Sequence, residues 1–193
     1  IIPLSSPQIS SNNKFFHSSE NFFLKTPPSP NLKTTKSIKL YPTLCLFEGT
    51  TISIGRGTDH PFEIIGASFF TLEDFRVSKL SKMSIINFTP RSRNESINPK
   101  FKDENCIGVD CQFVEELSLV GKINLDLFIN IYNMYSHNSP FFNSFFKKLA
   151  GNSNLEFKIS DGWNVKEIRQ SWKNDLQSFK KVREKYLIYP RGL

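Results

Sequence analysis

A glutamate and an arginine eight residues apart, Glu48 and Arg56, are the side chains of this sequence best suited by type and setting to chemistry. The arginine stands between Gly55 and Gly57 and is followed by Thr58. Flanking glycines let a backbone come close to a ligand, while the guanidinium offers a rigid fork that matches a carboxylate. Glu48 opens the segment Glu48-Gly49-Thr50, where an apolar run gives way to a polar turn. Polar, glycine-rich turns at element ends are where sites are commonly built. The same pair equally suits an ion pair that only pins a loop, and residue types alone leave both readings open. A phosphate loop is excluded: the spacing G-x-x-x-x-G-K-[ST] is absent and no lysine follows the second glycine.

These residues need elements to hold them. The run 44–47 reads as a buried strand, 61–65 as a strand or edge segment closed by Gly66, and 84–88 as a second buried strand. Ile107, Val109, Cys111 and Phe113 alternate with Gly108, Asp110 and Gln112, the pattern of a half-buried strand. Thr71 with Asp74 three residues on marks a helix start, followed by a stripe of Leu72, Phe75, Leu80 and Met83. Asn124 caps a helix with Phe128, Ile131, Tyr132 and Tyr135 on one face. Residues 140–150 form a phenylalanine-rich helix stopped by Gly151, and 154–159 a further short helical turn. A last helix starts at Asn164 and Glu167, with Pro190 beyond its end. Its stripe of Val165, Ile168, Trp172, Leu176, Phe179, Val182 and Tyr186 reads as core packing. The expected class is mixed α+β, a small sheet covered by C-terminal helices. Residues 1–39 hold a strand remnant at 1–4, an apolar segment at 21–24 and a proline-stiffened connecting loop, and 40–193 form the domain proper.

Composition narrows the partners. A chain of 193 residues with 38% hydrophobic content and 19 phenylalanines can bury a sizeable core. The net charge of +7 is uneven: residues 1–40 and 131–193 are basic, whereas 41–130 carry more acids than bases. The C-terminal lysines alternate with acids along a solvated helix face, which argues against nucleic acid as a partner. No apolar run reaches the ~18 residues of a membrane span. Cys45, Cys106 and Cys111 make no disulfide framework, and the odd separation of the last two sends them to opposite faces of a strand. No C-x-x-C or H-E-x-x-H spacing appears and His17, His60 and His137 are scattered, so no metal or cofactor is expected. The chain has no initiator Met and no basic-then-apolar leader.

A resemblance adds to this. Pro28-Ser29-Pro30-Asn31, Cys45-Leu46-Phe47-Glu48-Gly49-Thr50 and Gly55-Arg56-Gly57-Thr58 with Pro61-Phe62-Glu63 resemble the NamZ-type exo-β-N-acetylmuramidases. So do Asn98-Pro99-Lys100-Phe101-Lys102, Cys106-Ile107-Gly108-Val109-Asp110, Lys148-Leu149-Ala150-Gly151 and the closing run from Trp172 to Pro190. These are bacterial glycoside hydrolases that release terminal N-acetylmuramic acid from peptidoglycan fragments. Thr51 stands where the family usually has Asn, and Ile54 where it often has Glu. The resemblance implies that this chain is the C-terminal portion, that a Rossmann-like domain precedes it, and that acid/base carboxylates lie across a cleft in that domain. It implies an envelope address, periplasmic or secreted, and muramyl saccharides as substrates.

Under that reading Glu48 is the catalytic-site carboxylate of this half, with Glu63 structural. Arg56 reads the lactyl carboxylate of muramic acid, with Gly57 and Thr58 nearby. Glu48 then either hydrogen-bonds sugar hydroxyls or orients Arg56. Gly49 and Thr50 belong to the same turn, and Ser29 and Asn31 face the cleft from the proline loop. The competing reading is a module that binds muropeptides without hydrolysing them. Arg91, Arg93, Lys100 and Lys102 are further basic candidates in a long polar loop.

Overall fold

The computed structural model describes residues 25–113, 123–136 and 139–187. The expectations for 1–4, 21–24 and Pro190 fall outside them. Helix α1 (Thr35–Leu44) starts at a reciprocal capping box: the Thr34 hydroxyl accepts from the Ser37 amide, and the Ser37 hydroxyl accepts from the Thr34 amide. Its end tightens into a 3-10 turn, Cys45–Gly49. Residues 44–47 are therefore helical, which corrects the strand expected there. A short apolar run does not separate a buried strand from a buried helical segment. The deciding spacing is Leu40, Leu44 and Phe47, at steps of four and three, and all three are buried.

Three antiparallel strands form the sheet in the order β1-β3-β2: β1 (Ile64–Ala67), β2 (Ser84–Phe88) and β3 (Cys106–Asp110). The class is mixed α+β, with β3 in the centre, where Val109 stands between Ile65 and Ile85. β1 starts late because 61–63 are spent in a turn, in which the Phe62 amide donates to the Ile54 carbonyl at 2.8 Å. Gly66 lies inside β1 rather than closing it. β2 sits at the expected residues but is partly exposed, and Phe113 of the expected alternation lies beyond β3, in solvent.

Helix α2 (Leu72–Val77) has the Thr71–Asp74 capping box, but it ends before Leu80 and Met83, and Leu72 is exposed. Helix α3 (Leu125–Met134) is capped by Asn124 and buries Phe128 and Ile131, with Tyr135 just past its end. Helix α4 (Phe146–Ala150) is shorter than expected, because the backbone of 141–143 is engaged elsewhere. The Thr51 amide donates to the Phe141 carbonyl and the Asn143 amide to the Gly49 carbonyl, both at 2.9 Å. Gly151 follows at its end.

Around this junction lies the aromatic core. Phe47 stands 4.6 Å from Phe128, and Phe128 in turn meets Phe141, Phe142 and Phe146. Each buried ring contributes roughly 1.5–3 kcal/mol by area alone. The turn carrying Glu48 is thus anchored, one residue earlier, in this aromatic cluster.

The last helix of the sequence is two: α6 (Val165–Ser171) and α7 (Lys173–Glu184), separated at Trp172 and preceded by α5 (Asn154–Ser160). Ile168 is buried, but Leu176, Phe179, Val182 and Tyr186 are 49–77% exposed. Core packing, expected for the whole stripe, holds for its first part only. A helical period identifies an apolar face without supplying the surface that covers it.

Candidate functional site

Glu48 and Arg56 meet. The Arg56 Nη2 donates to Glu48 Oε2 at 2.7 Å, a charge-assisted bond of the short kind. Glu48 is held by the 3-10 turn and Arg56 by the loop after Ser53, whose backbone pairs with Gly66 of β1. Although bound to the protein's own acid, Arg56 lines a concave surface and keeps 38% of its side chain exposed. Its Nε is buried without a partner among the described residues.

Beneath the guanidinium lies the Phe62 ring, 5.3 Å from Arg56 Cζ, with the Tyr41 ring a further 5.0 Å away, centroid to centroid. Phe62 sits at φ 59°, a left-handed conformation that bulky residues avoid, at a cost of about 1–3 kcal/mol. The strained backbone delivers an aromatic face to the arginine, worth roughly 0.5–2 kcal/mol. Sequence reading missed both rings. The Pro-Phe pair after a glycine turn was the available sign.

Lys100 enters from the long loop. Its Nζ donates to the carbonyls of Phe47, Glu48, Thr50 and Ile52 at 3.2, 3.3, 2.5 and 3.0 Å. Burial pulls its pKa down to about 8, with Glu48 opposing the fall and Arg56 adding to it. The other basic candidates are engaged at the surface or exposed. Arg91 pairs with Asp103, Arg93 pairs with Asp59, and Lys102 is exposed. The hydrogen bond from Arg93 holds the Asp59 carboxyl below its ordinary range.

The remaining candidates serve the protein's own loops. Thr50 donates to the Phe47 carbonyl and Thr58 to the Gly55 carbonyl, and each hydroxyl also accepts a backbone amide two residues on. Gly49 and Gly57 are glycines because protein stands where a Cβ would be: Phe146 Cα at 2.4 Å from the first, the Arg91 carbonyl at 2.5 Å from the second. The close approach read as room for a ligand is thus filled by the chain itself. Ser29 and Asn31 lie in a tight turn whose contacts run to Glu95 rather than to Glu48 or Arg56. Arg93 ties that same 91–96 loop to the Gly57 carbonyl. Glu63 is buried, with its carboxylate taken by the Thr34 hydroxyl and by His60 Nδ1 at 3.1 Å.

Buried polar atoms are rarely left without a partner. Among the described residues four side-chain atoms are, and three of them, Asn31 Oδ1, Thr51 Oγ1 and Arg56 Nε, belong to these loops. Glu48, Ser53, Ile54, Arg56 and Lys100 line a cavity of about 80 Å³. That holds a carboxylate, not a sugar, since small-molecule sites run to roughly 300–1,000 Å³. A larger concavity, about 860 Å³, lies along α6 and α7 between Asp126, Arg169, Lys173 and Lys180. Its lining mixes exposed charges with Val165 and Leu176, and among the described residues no unpartnered buried side-chain atom lies at it, so the smaller cavity is the better candidate. No cluster of three His, Cys, Asp or Glu able to hold a metal occurs among the described residues. Cys106 and Cys111 are buried free thiols, both pushed up by burial, Cys106 to about 12. No described helix is long and apolar enough to cross a membrane.

Fold and site together define an α+β domain presenting an arginine, paired with a carboxylate, at a small cavity. The chain belongs to the family described as exo-beta-N-acetylmuramidase NamZ, C-terminal, whose family model matches residues 39–189. It is 36% identical over 167 residues to the peptidoglycan beta-N-acetylmuramidase NamZ of Bacillus subtilis, covering 84% of this chain and 40% of that protein. A crystal structure of a DUF1343-family protein from Bacteroides fragilis matches with a TM-score of 0.71 at 38% identity, over 88% of this chain and 47% of the other. A second protein of that family from the same organism shares the fold at 17% identity, with a TM-score of 0.63 over 85% and 45% of the two chains. The chain thus spans less than half the length of these relatives.

Proposed function

We propose that this chain is the substrate-side part of an exo-acting β-N-acetylmuramidase, a glycoside hydrolase that removes terminal N-acetylmuramic acid from peptidoglycan fragments. The observation that carries the reading is the Glu48–Arg56 pair beside a cavity of carboxylate size, in a chain of this family. Muramic acid differs from glucosamine by a lactyl ether ending in a carboxylate, and Arg56 is the group to read it. Glu48 holds Nη2 and so aims the fork, and 38% of the arginine side chain stays open to a ligand.

Glycosidic cleavage typically uses two carboxyl groups flanking the bond. Glu63, the other carboxylate considered for this site, has its oxygens engaged by Thr34 and His60. In this reading the second group of the pair comes from outside this chain, which by itself binds without hydrolysing. The same reading puts the protein where peptidoglycan is, in the periplasm or outside the cell.

Two measurements test this. N-acetylmuramic acid should shift the Arg56 side-chain resonance in NMR, and N-acetylglucosamine should not; equal responses to both would reject the carboxylate assignment. A chromogenic N-acetylmuramide should be cleaved by the full-length Bacillus subtilis relative and left intact by this chain. Turnover by this chain alone would place the acid and base within it and overturn the division of labour.

A further inference from the structure

We propose that Lys100 is the positioning residue of this site: threaded beneath the turn that carries Glu48, it gathers four backbone carbonyls and thereby sets where the Glu48–Arg56 pair stands. The proposal rests on the muramic-acid reading only for the ligand served; the lock itself is a matter of geometry.

The carbonyls of Phe47, Glu48, Thr50 and Ile52 converge on one nitrogen, within 2.5–3.3 Å of it. Oxygens that close together, all bearing partial negative charge, repel one another unless a donor group with positive charge stands between them. An ammonium supplies three N–H donors and a full charge; the neutral amine supplies two donors and none. Lys100 therefore holds the stretch from 47 to 52 in this shape only while it is protonated. The residue before it grips the other end of the site, since a Cβ on Gly57 would stand 2.7 Å from Pro99 Cγ. Two consecutive residues of the long loop thus clamp both the turn bearing Glu48 and the turn bearing Arg56.

Glu48 and Arg56 are the charged groups that act on Lys100. Its proton leaves near pH 8. Tyr41 and Cys45, the other titratable side chains acting on or acted on by Glu48, are both pushed upward, first by burial, and stay neutral there. A ligand carboxylate does not titrate in this range either. As Lys100 becomes neutral the four carbonyls part and the Glu48–Arg56 pair moves, while the chain as a whole is relieved of a buried charge; the apparent affinity then follows the protonated fraction, falling about tenfold between roughly pH 7 and pH 9.

The experiment is side-chain NMR on the whole 193-residue chain across that range, without ligand and then with N-acetylmuramic acid. The Arg56 Nε–H resonance should move with the same midpoint as the Lys100 Nζ resonance, near pH 8, before any sugar is added. In Lys100→Met and Lys100→Arg this step should vanish; the arginine keeps the charge but its planar fork cannot meet four converging carbonyls. An Arg56 signal that stays flat through the Lys100 titration in the unaltered protein overturns the proposal, whether or not either variant folds. If the two signals move together but the sugar perturbs neither at any pH, the lock stands and the muramic-acid reading falls.

Discussion

The turn around Glu48 and helix α7 carry the same kind of apolar spacing, yet the first is buried to its rings and the second lies open. Leu40, Leu44 and Phe47 are buried in one cluster with Phe128 and Phe146, and the backbone of 141–143 pairs with Gly49 and Thr51 beside it. Leu176, Phe179, Val182 and Tyr186 remain exposed. The well-buried region is the one that carries the polar pair, and an oriented fork needs such backing. Apolar residues at helical steps are necessary for a core but do not create one.

The contrast can be tested by substitution. Phe128→Ala removes the ring at the centre of the cluster and should cost about 3–5 kcal/mol in denaturant unfolding; a loss below ~1 kcal/mol would mean the cluster does not anchor the turn. Lys100 gives a pH signature next. Its folded pKa lies below the unfolded value, so the unfolded chain holds the proton more tightly between about pH 8 and the ordinary lysine range. Stability attributable to this group therefore rises across that window, by up to ~1.4 kcal/mol per pH unit, and Lys100→Met should abolish the rise. The same slope in both proteins would show that Lys100 is not the group responsible.

Arg56→Ala should weaken N-acetylmuramic acid binding by roughly 10–100-fold, the worth of a charged hydrogen bond, and should cost about 1–3 kcal/mol of stability through the lost Glu48 bond and Phe62 contact. Arg56→Lys should recover little of the binding, because a point charge does not replace the fork. Isothermal titration of the two variants separates these effects. Thr34→Ala strips the α1 cap and a donor to Glu63, for an expected loss of about 1 kcal/mol. Phe179→Ser on α7 should change stability by no more than ~0.5 kcal/mol, and a larger loss would show that the open face is covered in this chain after all.

Much of the local structure was legible in residue order. The caps at Thr71 and Asn124, the strand at 84–88 and the core of β3 depend on neighbours within a few positions, and those appear as expected. The pairing of Glu48 with Arg56 was open to reading for a similar reason, since one turn brings them together. The short run at 44–47 was not, because four apolar residues carry too little of either period, and the capping box that starts α1 lies ten residues earlier.

The sequence by itself determined where the helices capped by Thr71, Asn124 and Asn164 begin, which faces are apolar, and that an arginine between glycines lies eight residues from a carboxylate. Only the tertiary structure decided what fills the space beside those glycines, that Lys100 reaches back some fifty residues to four carbonyls, and that the α7 stripe stays exposed. The reason is physical. Capping and periodicity act between residues a turn apart, whereas close approach, desolvation and cover depend on segments that only the folded chain brings together.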